Sequence, residues 1–124
     1  MGKTLSISEL LGKTLVSVRG AVGDDEVYFE TSDGETFKLY HENDCCEHVE
    51  LNDISGDLQD LVGHPITMAE EVSNGPVDES LEKNEESFTW TFYKLATIKG
   101  YVDLRWFGSS NGYYSEDVSF TKVF

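Results

Sequence analysis

Apolar and polar residues alternate with a period of two along most of this chain, and clusters of turn-forming residues interrupt them. Residues 14–19 predict a strand with Leu15, or Val16 and Val18, turned inward. Residues 20–25 read as a turn. Residues 27–31 and 36–40 flank Asp33-Gly34 as a hairpin, with Phe37 and Leu39 on one face and Lys38 and Tyr40 on the other. Short strands are expected at 48–51 and 66–72. The stretch 88–115 holds both tryptophans and most of the Phe and Tyr residues, and it is the folding centre of the chain. It puts Phe88, Trp90 and Phe92 on one face and Thr89, Thr91 and Tyr93 on the other. A reversal is expected at Lys99-Gly100, a return strand over 102–107, a second reversal at Asn111-Gly112 and a last strand over 113–120.

Two short helices complete the expected set. Ser6 and Glu9 have capping-box spacing before Leu10 and Leu11, and Gly12 stops the helix. Residues 52–56 cap a second helix over 57–62, which Gly63 and Pro65 end. The segments Leu10-Leu-Gly-Lys-Thr-Leu15 and Leu61-Val-Gly-His-Pro-Ile66 have the same form at an offset of 51 residues, a hint of two similar halves. Residues 73–87 read as a flexible acidic loop. The expected fold is a mainly β single domain (residues 1–124): an antiparallel sheet of about eight strands, rolled or partly open as a barrel, with two short helices.

Charge changes the picture more than composition does. A length of 124 residues suits one domain with its own core. There is neither a run of apolar residues long enough to span a bilayer nor a signal-peptide pattern, so a cytoplasmic protein is expected. Twenty-four acids against nine bases give a net charge of −15. Such a field repels nucleic acid and anionic membranes and attracts basic protein surfaces. Fourteen of the acids lie between His41 and Glu86, with Lys83 the one Lys or Arg among them. That density can imitate the charge spacing of a nucleic-acid backbone. Cys45 and Cys46 are adjacent and poorly placed to bridge each other, which fits a reducing compartment.

Candidate chemistry is sparse. His41, Cys45, Cys46 and His48 are zinc-type donors, but no second pair exists elsewhere, and a polar corner with one buried Cys accounts for them better. A thiolate at Cys45 or Cys46 would be disfavoured by Glu42, Asp44 and Glu47. Asp53-Ile-Ser-Gly-Asp57 lacks the remainder of a calcium loop. Gly108-Ser-Ser-Asn-Gly112 has no helix N-terminus or Lys with which to hold phosphate. No catalytic residue, metal or cofactor is assigned.

Four stretches carry a resemblance: 39–49 (LYHENDCCEHV), 53–57 (DISGD), 89–100 (TWTFYKLATIKG) and 105–115 (RWFGSSNGYYS). Over about residues 10–120 the chain resembles a family of small acidic proteins encoded by bacteriophages and prophages. The resemblance implies a phage setting, hence the cytoplasm of an infected host, and no particular chemistry. Together with the charge it leads to one expectation: a non-enzymatic protein that inhibits or redirects a host protein bearing a basic or nucleic-acid-binding surface. It would act as a monomer or homodimer without touching nucleic acid or membrane. The expected contact residues are Glu70, Glu71, Asp78, Glu79, Glu85 and Glu86 for steering and Trp106, Asn111, Tyr113 and Tyr114 for the anchor. The alternatives are a nucleotide-signal sponge, stacking a base on Trp90, Trp106, Tyr113 or Tyr114 with Arg105 on a phosphate, and a metal or thiol enzyme at Cys45 and His41.

Overall fold

The computed structural model describes residues 5–41, 47–77, 87–110 and 118–123. Among these described residues eight strands are formed: β1 (Leu15–Arg19), β2 (Glu26–Thr31), β3 (Thr36–Tyr40), β4 (His48–Ser55), β5 (Met68–Val77), β6 (Ser87–Thr97), β7 (Gly100–Ser110) and β8 (Ser119–Lys122). They make two antiparallel four-stranded sheets, in the orders β1-β2-β3-β8 and β4-β7-β6-β5. The mainly β antiparallel expectation therefore stands, with one correction: two sheets replace a single rolled one, and they do not close into a barrel. Their inner faces share one core, to which β2 and β3 give Val27, Phe29, Phe37 and Leu39, and β6 and β7 give Tyr93, Leu95, Leu104 and Trp106. Phe120 of β8 stacks on Phe37 at 5.3 Å between ring centroids.

Several boundaries move for identifiable reasons. The register of β1 shifts between Leu15 and Ser17, so Leu15 and Val18 both point inward while Val16 is exposed. Residues 52–55 continue β4 instead of capping a helix, and Asp57 takes the cap position. Residues 73–77 extend β5, and Ser87 begins β6, so both ends of the expected loop are strand; residues 78–86 lie outside the described residues. The reversal at Lys99-Gly100 is present between β6 and β7. Asn111-Gly112 and the first part of the expected last strand lie outside the described residues.

The two helices are single 3-10 turns, Ile7–Leu10 and Leu58–Leu61. Only four residues separate each cap from the terminating segment, enough for bonds of i to i+3 type but not for an α-helical ladder. The two turns match at the offset of 51. Ser6 and Asp57 each accept from the backbone two residues on, and Leu11 and Val62 each donate back to Ser8 and Gln59. Gly12 and Gly63 then take positive φ values of 82° and 93°.

These matching segments face each other. Gly12 N–H donates to the Ile66 carbonyl and Gly63 N–H to the Leu15 carbonyl, both at 2.9 Å, around an antiparallel bridge between Thr14 and Pro65. Each of these contacts maps onto the other under the 51-residue offset, which is the signature of a local two-fold axis through that bridge. The connectivity obeys the same symmetry. Each turn leads into a three-stranded meander, β1-β2-β3 or β5-β6-β7, and the fourth strand of each half joins the opposite sheet. The repeat seen in the sequence is a structural repeat with exchanged fourth strands.

Candidate binding surface

Glu70 and Glu71 are exposed on β5, an edge strand of the second sheet. As neighbours in a strand they face opposite ways. Glu70 lies across from Lys94 in the register, while Glu71 borders a cleft of about 420 Å³ with Leu5, Ser73, Thr91, Tyr93 and Phe120. Asp78, Glu79, Glu85, Glu86, Asn111, Tyr113 and Tyr114 lie outside the described residues.

Trp106 is not an exposed anchor. It is wholly buried on the inner face of β7, opposite Leu51 and Thr91 in the register. The strict alternation of β7 carries Val102, Leu104 and Trp106 into the core together. The same fact removes Trp106 from any base-stacking set.

Three other aromatics cluster on the outer face of the second sheet, apart from the exposed Tyr101 near the start of β7. Thr89, Thr91 and Tyr93 form the buried side of β6, so Trp90 and Phe92 stand half-exposed on the outer face beside Phe107 of β7. Trp90 and Phe107 are register partners with ring centroids 4.7 Å apart. Arg105 lies 5.1 Å from the centre of the Trp90 ring, and its Nε and Nη2 donate to Asn52 Oδ1 at 3.0 and 2.7 Å. Val72 of β5, across from Phe92, is 41% exposed and extends this surface. The alternation in the sequence separated these two faces. It carried no signal that the threonine face would be the buried one.

The polar corner after β3 holds a buried pair. His41 Nε2 is 2.8 Å from Glu47 Oε2, with side chains 4% and 0% exposed, and it ties the end of β3 to the start of β4. The pair borders a second cleft of about 410 Å³ with Asp24, Asp25, His48 and Glu50. His48 itself is exposed and 3.1 Å from Glu50. Cys45 and Cys46 lie outside the described residues, and among the described residues no group of three His, Cys, Asp or Glu is arranged to hold a metal ion.

The cations of the first sheet are largely committed to partners within the molecule. Glu35 pairs with Lys13 at 2.8 Å and Lys122 at 3.0 Å, joining the entry to β1 with β8. Lys38 lies 3.7 Å from Glu26 and 4.5 Å from the Tyr40 ring, and Arg19 stacks over Tyr28. The Lys13 hydrogen bond, then that of Lys122, hold the Glu35 carboxyl below its ordinary value, and Glu35 in turn raises Lys13. A depressed carboxyl contributes stability above its unfolded pKa and loses it as pH falls through the folded one. Glu35→Gln is therefore expected to lower the melting temperature at pH 7 and to converge on the wild type below the ordinary carboxylate range. Thermal melts from pH 7 to pH 3 measure it; a difference that does not narrow would rule the linkage out.

Residues 8–120 match a family model described as a domain of unknown function, DUF7448. The chain belongs to this family. No curated protein and no solved structure matches it. The DUF7448 match runs from within the first 3-10 turn to within β8, and it brings no activity or partner with it. Among the described residues of this DUF7448 protein, no helix is long and apolar enough to cross a membrane.

Proposed function

We propose that this chain is a non-enzymatic binding protein, steered by its negative field onto a basic surface of another protein. The observation that carries this reading is the disposition of charge. The chain has fifteen more acids than bases, and five of its bases, Lys13, Arg19, Lys38, Arg105 and Lys122, are held against carboxylates, an amide or aromatic rings. Asp24, Asp25, Asp53, Asp57, Glu70 and Glu71 meanwhile stand exposed. A surface of this kind raises the association rate with basic partners and disfavours nucleic acid. The resemblance to small acidic phage proteins supports a setting in the infected host cell. There the partner would be a host defence or nucleic-acid-handling protein, inhibited or redirected by occupation of its basic groove.

The test begins with capture from phage-infected lysate at low and high salt, followed by kinetics with the captured partner. Reversing Glu70, Glu71, Glu85 and Glu86 to Lys together should slow association by about tenfold or more and flatten its dependence on salt. An unchanged rate and salt slope would refute the acidic-surface reading.

A further inference from the structure

We propose that the outer face of the second sheet, centred on Trp90, Phe92, Phe107 and Arg105, is the docking surface for a basic segment of another protein. This rests on the binding reading above and assigns it a place. The outer face of an antiparallel sheet is ordinarily polar. Here two adjacent strands cluster three aromatic rings on it, Trp90, Phe92 and Phe107, and Val72 on the edge strand continues the apolar area. Trp and Arg are the residues most enriched among those that dominate binding energy. Arg105 is also already immobilised: Asn52 holds its guanidinium and Trp90 lies beneath it, so little side-chain freedom remains to be lost on docking.

The border of the face selects the occupant. Glu50 lies opposite Phe107, Asp53 opposite Arg105, and Lys94 sits between Asp103 and Glu70. Carboxylates outnumber cations two to one around the aromatic centre. A second copy of this chain would set those carboxylates against their counterparts, on top of two molecules each with net charge −15. Nucleic acid meets the same repulsion. A segment with apolar side chains for the rings and Lys or Arg for Glu50, Asp53 and Glu70 satisfies both the centre and the rim.

The experiment uses the full chain and three blocked twelve-residue peptides: alternating Arg-Val, alternating Arg-Gly and alternating Glu-Val. Amide chemical shifts and tryptophan fluorescence are followed at low and moderate salt. The Arg-Val peptide is expected to shift residues of β5, β6 and β7 and to bind about tenfold or more tightly than Arg-Gly. Trp90→Ala should remove that advantage, and so should Val72→Glu, a change at an exposed position that leaves the core intact. Equal binding of Arg-Val and Arg-Gly, unaffected by either variant, would overturn the aromatic face while leaving the acidic-surface reading in place. Absence of binding by either basic peptide at low salt would overturn both. Preference for Glu-Val, or sedimentation showing a dimer that Val72→Glu dissociates, would replace the basic partner with another occupant.

Discussion

Trp106→Ala is expected to destabilise the protein by about 3–5 kcal/mol, the usual cost of removing a fully buried large aromatic side chain. Against the roughly 5–15 kcal/mol that holds a domain folded, this takes a large share. The melting temperature should fall by roughly 10–20 °C. Trp106 is 0% exposed and stands between Leu51 and Thr91 on the inner face of the second sheet, where its loss leaves a cavity between two sheets. Its indole Nε1 is buried and has no hydrogen-bond partner among the described residues. A buried unpaired donor costs about 1–3 kcal/mol, so Trp106→Phe trades lost volume against removal of that penalty. The phenylalanine variant should therefore lie within about 1 kcal/mol of the wild type. Trp90→Ala, on the half-exposed face, should cost clearly less than Trp106→Ala. Chemical denaturation of the three variants measures these differences. A Trp90→Ala loss equal to that of Trp106→Ala would contradict the assignment of inner and outer faces.

That assignment marks the limit of what the chain reveals before it folds. The two tryptophans occupy similar alternating stretches, and their local patterns are equivalent. What separates them is the other sheet: the side of β6 that meets the core carries Thr89, Thr91 and Tyr93, which alternation alone reads as the polar side. Buried threonines are tolerable because their hydroxyls can be hydrogen-bonded, and no hydropathy pattern registers such bonds. The exchange of β4 and β8 was hidden for a related reason. A strand's partner is set by tertiary packing, and β4 pairs with β7, whose first residue lies 45 positions beyond the end of β4. The repeat around Gly12 and Gly63 was legible because caps and positive-φ glycines are local devices. Its two-fold pairing was not, since nothing in either copy names the other as its neighbour. Exposure at Glu70 and Glu71 followed from charge alone.

Gly56→Ala should be among the most damaging single-methyl changes in the chain. Gly56 joins β4 to the second 3-10 turn at φ 102°, in the left-handed region where a Cβ is strained. Strain of that kind costs on the order of 1–3 kcal/mol. A second cost adds to it. A Cβ on Gly56 would stand 2.5 Å from the Tyr101 carbonyl oxygen and 3.3 Å from Val102 Cα. Both are backbone atoms of β7, and β7 is held between β4 and β6, so it has no freedom to withdraw. Overpacking against such a neighbour costs about 1–3 kcal/mol more, for a total of roughly 2–6 kcal/mol. Gly12 and Gly63 provide the control. They have similar positive φ values, but a Cβ at either would meet no atom within 4 Å. Gly12→Ala and Gly63→Ala should therefore show the conformational cost alone, about equal to each other because their surroundings repeat, and each smaller than the cost at Gly56. Urea unfolding midpoints of the three variants test the ordering. If Gly56→Ala falls no lower than Gly63→Ala, the close approach of this linker to β7 does not hold in solution.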